Sequence, residues 1–267
     1  MQGRLSPLYN KKIQSFPKHH WYKEFKKINS LKLNSMEWTV DQKEIDKNPI
    51  NTFEGKNKIV YLKKKYKIRI LSLTGDCFMQ SPFWKAKGIK KIKLINTFKS
   101  VLENSSKIGI QKIIVPLVDN GSIEKNYQIK ILISTLKKFI PLLKKNNQQI
   151  LFELNFNPKK ALNFIKKFNN VYFGINYDVG NSASLGYSAK DEIEKYGKYI
   201  KNVHIKDRCF KGSTVKLGQG DANFKEVFKN LKKKKYRGYF ILQTARSKNN
   251  LHKREILDNL KYLKRWF

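Results

Sequence analysis

Three residues that can bind a metal ion each follow a short strand-like run, at a spacing of about one structural repeat. Glu153 follows Ile-Leu-Phe, Asp178 follows Gly-Ile-Asn-Tyr, and His204 lies within Val-His-Ile. Gln243 ends a fourth such run, and the successive separations are 25, 26 and 39 residues. A strand, a loop and a helix of a βα repeat take roughly 25 to 40 residues. We therefore predict that these side chains stand at the ends of successive parallel strands.

The chemistry of this set is that of a divalent cation site. Strand ends of a parallel barrel converge on one face, where active sites form. A Glu, an Asp and a His that meet there supply oxygen and nitrogen ligands. A structural role is the alternative for each residue: a salt bridge for Glu153, a turn at Asp178 and a hydrogen-bonded core position for His204. Their common register favours an enzyme.

The few arginines are a second chemical signal. The chain has 50 Lys but 7 Arg, and Arg4, Arg208 and Arg246 each lie at a predicted strand end. Arginine suits forked recognition of a phosphate or carboxylate. We expect these three side chains to hold an anionic group of a substrate, with Lys206 as an added point charge. The alternative is that they tie loops together.

Short apolar runs alternate with longer amphipathic segments, which is typical of a parallel sheet with crossover helices. The predicted strands are Ser35–Thr39, Ile68–Leu73, Lys112–Leu117, Gln149–Leu154, Tyr172–Tyr177, Asn202–Ile205 and Gly238–Gln243. The predicted helices are Trp21–Leu31, Asn57–Lys65, Ile92–Lys107, Lys125–Lys145, Pro158–Phe168, Ala189–Lys198, Phe224–Lys234 and Asn250–Trp266. This pattern predicts a single (β/α)8 TIM barrel domain over residues 1–267, with a truncated first strand before Trp21.

Composition narrows the class of protein. A length of 267 residues suits one βα barrel, and no run approaches the ~18 apolar residues of a membrane span. The N-terminus lacks the apolar core of a signal peptide. The two cysteines, Cys77 and Cys209, are too few for a disulfide framework, so we expect a cytoplasmic protein with reduced thiols.

The net charge of +37 would normally suggest nucleic acid as a partner. The lysines are spread along the whole chain, and Lys shares A/T-rich codons with Asn and Ile, so a biased genome explains the charge. We expect no specific nucleic acid and no membrane partner. Weak, salt-sensitive binding to nucleic acid could arise from charge alone. A homo-oligomer is compatible with the sequence.

Six short motifs, spread over nearly the whole chain, carry a family resemblance. They are Gly3-Arg4-Leu5-Ser6-Pro7, Ile13-Gln14-Ser15-Phe16-Pro17, Met36-Glu37-Trp38, Asp178-Val179-Gly180-Asn181, Val203-His204-Ile205-Lys206-Asp207-Arg208 and Leu217-Gly218-Gln219-Gly220-Asp221. They resemble the sugar phosphate isomerase/epimerase family, the xylose isomerase-like TIM barrels of the AP endonuclease family 2 superfamily. The family's first strand normally starts before Gly3, so either this strand is short or Met1 is not the true start.

The resemblance implies a metal site of Glu, Asp, His and Glu at four strand ends. It carries over to Glu153, Asp178 and His204, with Gln243 at the fourth position, and it implies Mn, Mg, Co or Zn as the cofactor. In the family's epimerases the first and last glutamates are also the acid–base pair. An amide can ligate a cation but cannot exchange a proton at neutral pH, which argues against a two-carboxylate mechanism here.

The predicted function is a metal-dependent isomerase or epimerase that acts on a sugar or sugar phosphate in carbohydrate metabolism. The cation would polarise substrate oxygens, and Glu153 would move the proton next to the carbonyl. Either a one-base isomerisation, or a proton returned by water or Asp207, fits Gln243. The residues assigned to substrate binding are Arg4, Glu37, Lys206, Arg208 and Arg246.

Two other functions remain open. A non-catalytic sugar-binding barrel would fit the amide at Gln243. A nuclease that acts at abasic sites, like endonuclease IV, would fit the basic charge. That enzyme type uses a three-metal cluster with several histidines, and His19, His20 and His252 do not lie at convincing strand ends.

Overall fold

The computed structural model describes residues 3–9, 15–247 and 249–266. Within these residues a parallel sheet runs in chain order, and a two-stranded antiparallel ribbon lies beside it. The sheet consists of β1 (Ser35–Thr39), β2 (Arg69–Thr74), β3 (Lys112–Leu117), β4 (Gln149–Leu154), β5 (Phe173–Asp178), β6 (Ile200–Ile205) and β9 (Tyr239–Leu242). The ribbon pairs β7 (Asp207–Arg208) with β8 (Thr214–Val215). The architecture is a nearly closed TIM barrel, as predicted.

Helices separate the strands of the sheet. They are α1 (Trp21–Ser30), α2 (Phe53–Tyr66), α3 (Asp76–Gln80), α4 (Gly88–Lys107), α5 (Asn126–Lys137), α6 (Ile140–Asn146), α7 (Pro158–Lys166), α8 (Val179–Ser184), α9 (Ala189–Tyr196), α10 (Phe224–Lys233) and α11 (His252–Leu263). Their buried faces pack on the strands. For example, Phe152 of β4 lies 5.1 Å, between ring centroids, from Phe164 of α7.

One predicted helix is two helices in the structure. The sequence pattern predicts a continuous helix over Lys125–Lys145, but α5 ends at Lys137 and α6 begins at Ile140. Pro141 lies in the first turn of α6, where its missing backbone N–H costs nothing. A proline inside a continuous helix would remove a hydrogen bond, so the chain breaks the helix before it.

The sheet register brings the predicted site residues to the same edge. Asp178 of β5 lies opposite His204 of β6, and Glu153 of β4 lies opposite Pro116 of β3. Gln243 directly follows β9, and its backbone N–H donates to the Ile205 carbonyl at 2.9 Å. All four residues therefore lie at the carboxyl ends of neighbouring strands.

Side chains tie the described chain before Trp21 to the segment after β9. In the described residues before Trp21 there is no strand, and β1 does not pair with β9. Instead, Arg4 Nε donates to the Thr244 carbonyl at 2.8 Å, and Arg246 Nη1 donates to the Ser6 carbonyl at 2.6 Å. These two bonds tie the start of the described chain to the segment after β9. Met1, Ile13 and Gln14, which entered the sequence predictions, lie outside the described residues.

Candidate metal centre and active site

The three predicted metal ligands converge in a buried cluster at the strand ends. One ligand atom from each of Glu153, Asp178 and His204 lies within 4.8 Å of the others. His204 Nδ1 is 3.3 Å from Glu153 Oε2 and 3.8 Å from Asp178 Oδ2. Atoms bound at roughly 2.0–2.2 Å to a common ion lie about 3 to 4 Å apart. Two carboxylates and an imidazole therefore fit a divalent cation with little movement.

Glu37 orients the histidine of this cluster. Its Oε1 is 3.0 Å from His204 Nε2, and its two oxygens accept hydrogen bonds of 2.7 Å from Ser72 and Thr74. On the other side of the ring, Asn176 Nδ2 lies 3.1 Å from Nδ1. These partners assign the proton to Nε2 and leave the Nδ1 lone pair facing the carboxylates. A metal-binding histidine commonly donates its other ring N–H to a carboxylate in this way.

The charges of the cluster shift one another's pKa. Burial alone would raise the pKa of Glu37, but His204 and the hydroxyl donors Ser72 and Thr74 lower it to about 2. Burial would lower the pKa of His204, but Glu37, followed by Asp178 and Glu153, holds it well above its usual value. The carboxylates therefore favour the charged ring, with N–H groups on both nitrogens, when no cation is bound. The assignment of a single proton to Nε2 applies to the ring that binds a metal ion through Nδ1.

Two asparagines hold Glu153 in place. Asn181 Nδ2 donates to Oε1 at 2.7 Å, and Asn176 Nδ2 donates to Oε2 at 2.9 Å. Asn176 is itself held by a 2.8 Å hydrogen bond from Asn202 to its amide oxygen. Each oxygen of Glu153 keeps lone-pair capacity for a proton or a cation.

Asp178 ends β5 and caps α8. Its Oδ1 accepts the backbone N–H of Asn181 at 2.8 Å, and its Oδ2 lies 2.8 Å from Lys206 Nζ. Burial would raise the pKa of Asp178, but Lys206 and His204 hold it well below its usual range. In the sequence analysis, a turn at Asp178 was the alternative to a metal ligand. The geometry lets one carboxylate serve both purposes with different oxygens.

The residues predicted to bind substrate make hydrogen bonds or ion pairs with other groups of the protein. Arg208 donates to the Gly212 carbonyl and, through Nη1 at 3.0 Å, to Asn181 Oδ1. Arg4 and Arg246 make the loop ties described above. Burial, followed by the neighbouring Arg246, lowers the pKa of Arg4 to about 9. Substrate contact by these arginines, by Lys206 and by Glu37 stays a prediction.

Asp207 is committed to the loop that follows β6. Its two carboxylate oxygens accept backbone N–H groups of Gly218, Gly220 and Ala222 at 2.8 to 3.1 Å. A side chain held in this way is poorly placed to return a proton to a substrate, which was one option in the sequence analysis. Gln243 is buried, and its ligation of a cation stays a prediction.

The sequence analysis did not predict that two asparagines hold Glu153 or that Glu37 contacts His204. Asn176 could have been found, since it lies two residues before Asp178 in a strand and so faces the same side. Asn181 was interpreted as part of a turn. Its contact with Glu153 spans 28 residues, and no local pattern indicates it.

The comparison with known families decides the classification. The family model described as "Xylose isomerase-like TIM barrel" matches residues 25–266. The chain belongs to this family. Among its relatives, the L-ribulose-5-phosphate 3-epimerase UlaE of Escherichia coli is 31% identical over 87 residues, which are 32% of this chain and 30% of the relative. The chain spans about a third of the length of the curated relatives it matches, 36% and 30% for two of them.

Solved structures agree in fold along nearly the whole chain. An IolI protein with a bound zinc atom has a TM-score of 0.77 at 16% identity, over 100% of this chain and 98% of that one. D-psicose 3-epimerase in the presence of D-fructose has a TM-score of 0.75 at 12% identity, over 92% and 93%. At these identities the likeness shows the fold alone. Of the helices in the described part of the chain, none is long and apolar enough to cross a membrane.

Proposed function

We propose that this isomerase- or epimerase-like barrel is a metal-dependent enzyme that moves a proton next to the carbonyl of a sugar or sugar phosphate. The observation that carries the proposal is the convergence of Glu153, Asp178 and His204 at buried strand ends, with the histidine aimed by Glu37. Such a cluster is costly to bury as a purely structural feature, because several charges leave water together.

The donor set supports a divalent cation of the Mn, Mg, Co or Zn type. Glu153, Asp178 and His204 would hold it, with Gln243 as a fourth ligand through its amide oxygen. When bound, such a cation polarises the oxygens of a substrate and stabilises the negative charge that develops there. The feature that opposes a cation is Lys206, whose ammonium group lies beside Asp178.

Glu153 is the proposed base. Asn176 and Asn181 fix both of its oxygens, so that the carboxylate meets a bound substrate in one orientation. Its removal of a proton next to a carbonyl would be aided by the nearby positive charge of the cation site. The epimerase relatives and the sugar named with a structural neighbour support a sugar as the substrate.

The arginines at the strand ends support an anionic group on the substrate. Arg208 reaches the site through Asn181, which also holds Glu153, so the proposed anion clamp and the proposed base share one partner. Arg4, Arg246 and Glu37 remain proposed substrate contacts. We infer a role in carbohydrate metabolism in the cytoplasm, with Cys77 and Cys209 as free thiols.

A sugar-binding barrel without turnover is the second candidate, because Gln243 cannot serve as the second acid–base group. A nuclease with a three-metal cluster finds less support. Within the described residues, the cluster of Glu153, Asp178 and His204 is the group with metal-binding geometry, and it includes none of the residues His19, His20 and His252.

The test is solvent-deuterium exchange. The Mn²⁺-loaded protein, incubated in D₂O with a panel of ketoses and ketose phosphates, should exchange the proton next to the carbonyl of at least one of them. Glu153→Gln should abolish the exchange. Glu192→Gln, which changes a buried glutamate hydrogen-bonded to tyrosines of β5 and α9, should preserve it. Binding of a sugar without exchange would support the binding barrel. Exchange that survives in Glu153→Gln would reject Glu153 as the base.

A further inference from the structure

Lys206 places a buried ammonium group at the cation site. It directly follows β6, is 7% exposed, and its Nζ lies 2.8 Å from Asp178 Oδ2. The other oxygen, Oδ1, is taken by the backbone N–H of Asn181. Oδ2 also faces His204, so the ammonium group lies against the oxygen that would bind a metal ion.

The position of this lysine is built into the fold by Gly180. A Cβ atom on Gly180 would lie 2.7 Å from Lys206 Cγ and 2.9 Å from its Cβ, closer than such atoms approach one another. Gly180 does not have a positive φ, so its backbone would accept other residues. The glycine is therefore explained by the close approach of Lys206, whose side chain begins directly against it.

A fixed positive charge at this place has two opposite effects. A buried carboxylate without a partner is strongly destabilising, and Lys206 supplies the partner for Asp178. A divalent cation at the same oxygen would be repelled by the ammonium group at close range, where the screening by water is weak. The same charge thus stabilises the metal-free barrel and opposes the metal ion.

We propose that Lys206 is a resident counter-cation, which neutralises Asp178 in the metal-free protein and weakens the binding of a divalent metal ion at that site. This inference rests on the proposed cation site. It implies that the site binds its metal ion weakly enough for the ion to exchange with solution. At a given concentration, a ligand that binds the folded protein more tightly stabilises it more. The inference therefore also predicts that the metal ion contributes less to the stability of the parent than to that of a protein without Lys206.

The experiment measures Mn²⁺ affinity by calorimetry and the thermal midpoint with and without Mn²⁺. Lys206→Met removes the charge, and Lys206→Gln removes the charge but can still donate a hydrogen bond to Asp178. Lys27→Met is the matched control, since Lys27 is half-buried and donates to the Leu5 carbonyl rather than to a carboxylate. The Gln variant decides the question if the Met variant does not fold.

The expected result is that Mn²⁺ binds at least tenfold more tightly to the Lys206 variants than to the parent and to Lys27→Met. Without metal, the Lys206 variants should have a lower thermal midpoint than the parent. Added Mn²⁺ should raise the thermal midpoint of the variants by more than it raises that of the parent. Equal or weaker Mn²⁺ affinity in the Lys206 variants would overturn the inference while leaving the cation site intact. Absence of Mn²⁺ binding in parent and variants alike would overturn both.

Discussion

Replacement of Glu37 tests how the histidine ligand is held. In the parent, Glu37 Oε1 lies 3.0 Å from His204 Nε2. In Glu37→Gln the side chain keeps its size and one oxygen that can accept from Nε2. It loses the negative charge, and its new amide N–H must point at one of the hydroxyls of Ser72 and Thr74. Both hydroxyls can rotate to accept that hydrogen bond. The variant should therefore fold and keep the orientation of the imidazole.

The size of the effect follows from the contacts that change. A hydrogen bond to a charged group contributes roughly 1.5–3 kcal/mol and a neutral one roughly 0.5–1.5 kcal/mol, so Glu37→Gln should weaken metal binding by about 1–1.5 kcal/mol, close to tenfold. Glu37→Ala removes the acceptor altogether. It should cost up to about 100-fold in metal affinity, the upper end for a residue that orients a ligand.

Calorimetric titration with Mn²⁺ or Zn²⁺ measures both variants against the parent. Glu24→Gln is the matched control, because Glu24 is equally buried and accepts hydrogen bonds from Ser6 and Leu5, away from the cluster. The control should change stability and keep the metal affinity. Metal affinity that is the same in the parent, Glu37→Gln and Glu37→Ala would refute the orientation of His204 by Glu37.

Three further predictions concern other parts of the site and the fold. Gln243→Glu should tighten metal binding, because an anionic oxygen attracts a cation more strongly than an amide does; unchanged affinity in a titration would mean that residue 243 is not a ligand. Arg208→Ala and Arg246→Ala should weaken the binding of a sugar phosphate by about 1.5–3 kcal/mol, whereas the exposed Arg254→Ala should not; equal affinities would remove the anion clamp. Burial raises the pKa of Glu192, although hydrogen bonds from tyrosines act in the opposite direction. The stability that Glu192 contributes at low pH is therefore lost as pH rises through this raised pKa. Glu192→Gln should flatten this part of the stability profile in urea titrations, and an unchanged slope would contradict the shift.

Much of the fold could be predicted from the sequence because strands and helices differ in their apolar period. The bounds of β1, β3 and β4 agree with the prediction to the residue. The convergence of Glu153, Asp178 and His204 could be predicted for a related reason: the repeat length of a βα barrel places successive strand ends on one face. The short helices α3 and α8 were missed, since a helix of five or six residues is too short to show a period.

The remaining parts of the site depend on contacts that are distant in sequence. Glu37 and His204 are 167 residues apart, and their contact follows from the curvature of the whole barrel. Gly180 looks like a turn residue in the sequence, and its role as space for Lys206 is visible only when β6 lies beside α8. Likewise Arg208, predicted as an anion ligand, also holds Asn181, a pairing that no local motif specifies.

The most direct test of the cation site is the metal content of the purified protein and of three variants. After loading with Mn²⁺ or Zn²⁺ and removal of free metal, elemental analysis of the parent should give about one ion per chain, as expected for a single cluster of this ligand set. Glu153→Ala, Asp178→Ala and His204→Ala should each lose most of the bound metal, while circular dichroism shows the barrel retained. Full metal occupancy in all three variants would contradict the site.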